Sequence, residues 1–177
     1  VTVVTVTATD ECGRTETCTV TITTEDNVAP EAVCQNATVQ LDANGDGSIT
    51  AMDVDGGSTD ACGVASITAT PTTFDCSDVG ANTVVLTITD VNGNSNSCNA
   101  TVTVEDNIPP VITLCQGNPV DFNGQEQFLS EDYIDFNATD NCGIASITYD
   151  PEYIYCDQLG ETVPVTVTVT DVNGNSS

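Results

Sequence analysis

The chain has 177 residues, 27 of them Asp or Glu against a single Arg, with no Lys, His or Trp and a formal charge of −26. One cation cannot neutralise a row of phosphates, which excludes nucleic acid as a partner and, by the same sign, anionic membrane surfaces. Without His or Lys the usual general bases and Schiff-base nucleophiles are missing, so an enzyme is not expected, and any metal site must use oxygen or sulfur ligands.

Thr and Val, 29 and 23 residues, are β-branched and favour strands, so an all-β protein is expected. No run approaches the roughly 18 apolar residues of a membrane span, and membrane insertion is not expected. In chain order, residues 1–27 read as two alternating strands. Period-2 alternation bounded by Gly, Pro, Asn and Asp then predicts strands at 32–41, 48–54, 64–70, 73–76, 77–81, 83–89 and 98–105.

Sliding the chain against itself by about 80 positions brings out an internal repeat. TEDNVAP at 24–30 returns as VEDNIPP at 104–110, STDACGVASIT at 58–68 as ATDNCGIASIT at 138–148, and LTITDVNGNS at 86–95 as VTVTDVNGNS at 167–176. Cys34, Cys62 and Cys76 recur as Cys115, Cys142 and Cys156. The expected organisation is the C-terminal strands of one unit at 1–27, a complete unit at 28–107, and a unit at 108–177 lacking its last strand, a window onto a longer tandem array. Seven short strands per unit fit a small immunoglobulin-like β-sandwich.

The stretch from PEAVCQNATVQLDANGDGSITAMDVDGGSTDACGVASI through FDCSDVGANTVVLTITDVNGNSNSCNATVTVEDN resembles the hyalin-type (HYR-like) immunoglobulin-fold repeat, in the version carried by very large surface adhesins of gliding bacteria. The resemblance covers essentially the whole chain. It implies extracellular tandem arrays with adhesive or spacer roles and no catalytic activity.

Nine cysteines with no CxxC suit an oxidising compartment and disulfide staples. In a sandwich whose strands alternate in direction, the starts of 32–41, 64–70 and 98–105 share a pole with the ends of 48–54, 73–76 and 83–89. Cys34 is then expected to pair with Cys98, Cys62 with Cys76, and Cys142 with Cys156. Cys115 and Cys18 are expected to find partners outside the chain, and Cys12 has none assigned.

The same pole gathers oxygen ligands. Glu25, Asp26 and Asn27 come from the linker, Asp60 from one loop, and Asp90, Asn92 and Asn94 from another. One repeat on, the set is Glu105, Asp106, Asn107, Asp140, Asp171, Asn173 and Asn175. Carboxylates in a cation-free neighbourhood repel one another unless a counter-charge binds, and six to eight hard oxygens are what calcium takes. Calcium at each junction would stiffen the array, the other reading being that EDN and NGN are turn-formers.

A second candidate is the EF-hand-like loop DANGDGSITAMD, with Asp42, Asn44, Asp46, Ser48 and Asp53 as ligands and Gly47 at the turn, set against a plain Asn, Asp and Gly hairpin turn. Sequons at Asn36, Asn99, Asn137 and Asn175 matter only in a eukaryotic secretory protein. Phe128, Tyr133, Phe136, Tyr149, Tyr153 and Tyr155 set the last unit apart, as a sugar-binding face or as core packing.

Together these readings make the chain a structural or adhesive segment of an extracellular, bacterial surface fibre. Its expected partners are further copies of the repeat, through lateral or end-to-end association, and an unidentified surface or glycan. Two alternatives are an accessory carbohydrate-binding module of a secreted enzyme and a filament subunit that donates a strand.

Overall fold

The computed structural model describes residues 1–121, 124 and 126–177. Part of the stretch 121–132, the counterpart of the Asp42–Asp53 loop, lies outside them. The described chain is all-β, its only helical elements being 3-10 turns at Ala51–Asp53, Cys76–Asp78 and Cys156–Gln158. No helix among the described residues is long and apolar enough to cross a membrane.

Two strands, β1 (Thr2–Thr9) and β2 (Thr15–Ile22), form an antiparallel hairpin, exposed along its whole length. Asp10 closes its turn by accepting from the Arg14 guanidinium at 2.7 Å.

The central segment contains β3 (Ala37–Gln40), β4 (Gly47–Ser48), β5 (Val64–Thr70), β6 (Thr73–Phe74), β7 (Gly80–Asp90) and β8 (Ser95–Glu105). Four of these make a sheet of order β3-β8-β7-β5, in which β3 runs parallel to β8 and the other pairs are antiparallel. β4 and β6 pair separately. Alternation sends Val84, Leu86 and Ile88 of β7 and Ala100, Val102 and Val104 of β8 to the same face, where they are buried with Val39, Leu41, Ile49, Val54 and Phe74.

The strands depart from expectation in three places. The strand expected at 32–41 shrinks to Ala37–Gln40, because Glu31 and Cys34 bridge instead to Thr59 and Asp55. The strand expected at 48–54 ends early, because Asp53 accepts from the Thr50 amide and hydroxyl and closes a 3-10 turn. Nothing separate forms at 77–81, since Asp75 caps the turn Cys76–Asp78 and the residues from Gly80 onward join β7.

β6 also points the other way. The tight turn at Asp42–Asp46 reverses the chain between β3 and β4, and β6 is antiparallel to β4, so β6 runs in the same sense as β3, β8 and β5. After β5 the chain crosses to β4 and continues toward the Asp42–Asp46 turn instead of folding back.

The last segment repeats this pairing with β9 (Val111–Gly117), β10 (Glu126–Phe128), β11 (Ile134–Thr139), β12 (Ile144–Asp150), β13 (Tyr153–Tyr155) and β14 (Thr166–Asp171). β10·β13 reproduces β4·β6, and β12·β14 reproduces β5·β7 down to the register break, at Ile144/Ser146 and at Val64/Ser66. Buried Leu129, Ile134 and Val169 stand where Ile49, Val54 and Ile88 stand one repeat earlier.

Candidate metal centre at the junction between units

The linker after β8 carries Asp106 to the first turns of the last segment. Asp140, before β12, accepts from the Cys142 and Gly143 amides at 2.9 Å each, an arrangement that closes the loop on its own carboxylate. Asp171, at the end of β14, accepts from the Asn173 and Asn175 amides at 2.8 Å each and from the Asn175 side chain at 2.7 Å. The Asn175 amide also donates to the Asp106 carbonyl at 3.1 Å, tying linker to loop.

These turns bring one carboxylate oxygen each from Asp106, Asp140 and Asp171 within 4.8 Å of one another. Asp106 is 6% exposed and Asp171 2%. Burial pushes the Asp171 carboxyl up, but the Asn175 side chain and the Asn175, Asn173 and Gly174 amides outweigh it and hold the group below the usual range. Four buried oxygens, Asp106 Oδ2, Asp140 Oδ2, Asn141 Oδ1 and Asn173 Oδ1, accept no hydrogen bond. Unpartnered oxygens beside clustered carboxylates are costly without a cation, and the donor set is all hard oxygen, the chemistry of calcium.

The junction at the start of the central segment has the same frame. Asp60 accepts from the Cys62 and Gly63 amides at 2.8 and 2.9 Å, and Asp90 from Asn92 and Asn94. The Asn94 side chain bridges Asp90 at 2.7 Å to the Asp26 carbonyl at 3.1 Å. Here the clustered ligand atoms belong to Asp26, Asp60 and Cys62. The Asp26 carboxylate, by accepting from the Cys62 thiol and by its charge, pushes that thiol up.

Of the expected ligands, Glu105 and Asn107 do not join. Their side chains meet Gln40 instead, which donates to Glu105 at 2.7 Å and accepts from Asn107 at 2.6 Å. Glu25, Asn27 and Asn92 are exposed at the earlier junction, Glu25 and Asn27 flanking Asp26.

The Asp42–Asp53 loop is a turn and gathers no ligand set. The Asp42 carboxylate accepts from the Asn44 and Asp46 amides, whereas Asp53 is engaged with Thr50. Ser48 is spent in β4 pairing.

Asn141 is the residue that sequence reasoning missed. Its side-chain amide donates to Asp106 Oδ1 at 3.1 Å and to the Asp42 carbonyl at 3.2 Å, so the turn of one segment docks on the loop of the next. The signal was present as the one-residue difference between DAC at 60–62 and DNC at 140–142.

Cys34 and Cys98 are bonded, with Cα atoms 5.9 Å apart. The expected Cys62–Cys76 and Cys142–Cys156 pairs do not form. Because β6 runs toward the Asp42–Asp46 turn, Cys76 reaches the far end of its segment and bonds to Cys142 of the next, with Cα atoms 5.4 Å apart. Cys12, Cys18, Cys62, Cys115 and Cys156 are free.

Away from the junction, Phe128 and Tyr153 pack edge to face at 5.4 Å. Phe128 and Tyr149 line a cleft of about 600 Å³ with Glu131 and Asp132.

No family model matches the chain, and no curated protein shows significant similarity to it.

Proposed function

We propose that the chain is a structural segment of an extracellular, bacterial surface fibre or adhesin, built from HYR-like immunoglobulin sandwiches at 28–107 and 108–177, with 1–27 belonging to a preceding unit. It is not an enzyme: its work is mechanical. One disulfide holds the central unit and another spans the boundary to the next, while calcium at each boundary stiffens the array. Repetition sets the reach.

The observation that carries this reading is the recurrence of one clamp at both boundaries. Asn94 ties Asp90 to the Asp26 carbonyl, and Asn175 ties Asp171 to the Asp106 carbonyl, with matching distances. A linker fixed twice in the same way, at the later boundary beside buried oxygens that lack donors, suits a cation-braced spacer.

The test is thermal unfolding and small-angle scattering in EDTA and in millimolar calcium, for the chain and for Asp106→Asn/Asp140→Asn/Asp171→Asn. Calcium raises the melting temperature and narrows the distance distribution of the unaltered chain, and the triple variant loses most of both effects. An unaltered chain indifferent to calcium overturns the cation-braced junction.

A second reading, a carbohydrate-binding module, draws on the exposed Phe128–Tyr153 pair beside a cleft that carries Glu131 and Asp132. Glycan-array binding that Phe128→Ala abolishes would favour it over a spacer.

A further inference from the structure

Three consecutive residues join two features of the later junction. Asp140 supplies a carboxylate to the cluster with Asp106 and Asp171, Cys142 is bonded to Cys76 of the preceding unit, and Asn141 stands between them. The Asn141 side-chain amide donates to Asp106 Oδ1 at 3.1 Å, which sets its Oδ1 beside the cluster, where that oxygen is buried and accepts no hydrogen bond. Asp106 is itself buried, with its Oδ2 equally unpartnered. Buried acceptors without donors are costly, and amide oxygens are ordinary calcium ligands, so Asn141 Oδ1 belongs with the carboxylates in one oxygen set. Position 61, the counterpart in the central unit, is Ala and has no such oxygen to offer.

Asn141 is also hemmed in by the disulfide. Its carbonyl lies 3.5 Å from Cys76 Sγ and its side-chain amide 3.6 Å from Cys142 Sγ. Cys76 Sγ has no space behind it, since the Gly45 carbonyl is 3.9 Å away and even a Cβ on Gly45 would come within 2.7 Å of the sulfur. Two thiols must stand at van der Waals separation where one covalent bond stood. The segment able to give way is the turn 140–143, which the Asn141 amide otherwise ties to the Asp42 carbonyl at 3.2 Å.

We infer that the Cys76–Cys142 disulfide regulates the calcium site of this junction, by keeping Asn141 Oδ1 among the ligands when bonded and releasing it when reduced. The affinity then falls roughly 10–100-fold, the usual loss when a group that orients a ligand is removed. Reduction by dithiothreitol passes two electrons and two protons to the two sulfurs, giving two thiols, while the reductant closes to its cyclic disulfide. Binding linkage is reciprocal, so calcium makes this bond harder to reduce by the same factor. The inference rests on the cation-braced junction and names its regulation.

The test equilibrates the whole chain in mixtures of oxidised and reduced dithiothreitol, with EDTA or with millimolar calcium, and reads each bond by differential alkylation and peptide mapping. Calcium is expected to shift the Cys76–Cys142 equilibrium toward the disulfide roughly 10–100-fold and to leave Cys34–Cys98, inside the central unit, unchanged. Asn141→Ala shrinks that shift. Calorimetric titration with calcium reads the same coupling from the other side: Cys76→Ser/Cys142→Ser binds more weakly than the oxidised chain by the same factor. Should that variant fail to fold, the comparison of the two bonds within the unaltered chain still decides. Calcium that binds but protects both bonds equally, or neither, overturns the inference and leaves the braced junction standing. A chain without calcium affinity in either redox state overturns both.

Discussion

Cys76 and Cys142 are bonded across the linker, while Cys62, which the repeat aligns with Cys142, is free. The disulfide thus belongs to the boundary between segments, the same boundary that the Asn141 amide spans from Asp106 to the Asp42 carbonyl. Separation of 66 residues makes this a long loop closure, worth about 4 kcal/mol on the chain-entropy model. Cys76→Ser/Cys142→Ser is expected to leave the β3-β8-β7-β5 core folded while broadening the distance distribution in small-angle scattering. An unchanged distribution would show that the linker alone sets the geometry.

Gly45 lies at the contact between the two segments. It has φ +81°, and a Cβ there would stand 2.7 Å from Cys76 Sγ and 3.0 Å from the Asn141 carbonyl oxygen. Gly45→Ala is expected to cost about 1–2 kcal/mol in backbone strain and, in addition, to slow formation of the Cys76–Cys142 bond. Gly93, at φ +95° with open space around it, supplies the control: Gly93→Ala costs the strain alone. Thiol titration during refolding separates the two.

The Asn175 clamp predicts a local loss. Asn175→Ala removes donors to both Asp171 Oδ2 and the Asp106 carbonyl, leaving buried acceptors unsatisfied at about 1–3 kcal/mol. Hydrogen exchange is expected to rise at Asp106 to Ile108 and around Asp140, with the amides of β7 and β8 unchanged. Protection lost throughout the chain would contradict a role confined to the junction.

Leu86 is fully buried at the centre of the four-stranded sheet. Leu86→Ala is expected to lower stability by about 2–5 kcal/mol in denaturant titration, with the slope unchanged. The outward-facing Thr87, by contrast, tolerates Thr→Ser within about 0.5 kcal/mol.

Acid acts in two stages. Hydrogen bonds from Asp46 and Asn44 lower the Asp42 carboxyl, those from Thr50 lower Asp53, and those from Ser77 lower Asp75. A carboxyl whose folded pKa lies below its unfolded value, about 3.9, stabilises the fold above that value and ceases to do so as pH falls through the folded pKa. Before that point, protonation of other carboxylates relieves the self-repulsion of a −26 chain. In EDTA the melting temperature is expected to rise from pH 7 to about 5 and fall below about 4, with high salt flattening the first limb. A monotonic fall from pH 7 would show that repulsion is not a significant term.

Much of the fold is legible in the residues themselves. Alternation of Val, Leu and Ile with Thr sends alternate residues to opposite faces, so β7 and β8 and their buried faces can be read from composition and period. The repeat likewise marks Asp106, Asp140 and Asp171, but only within a wider set with Glu105, Asn107, Asn173 and Asn175; the structure picks out the three carboxylates. The direction of β6 is not legible, since two residues of pairing to β4 decide it and no local pattern records which way a short strand crosses. The partner of Cys76 depends on that direction. The exclusion of Glu105 and Asn107 depends on Gln40, 65 residues from Glu105 in sequence. Period, charge and turn chemistry act between near neighbours and are written in the sequence itself. The tertiary structure alone decided which cysteines meet, which carboxylates are buried and which amide bridges two segments, because those outcomes rest on contacts between residues that only the assembled sheets bring together.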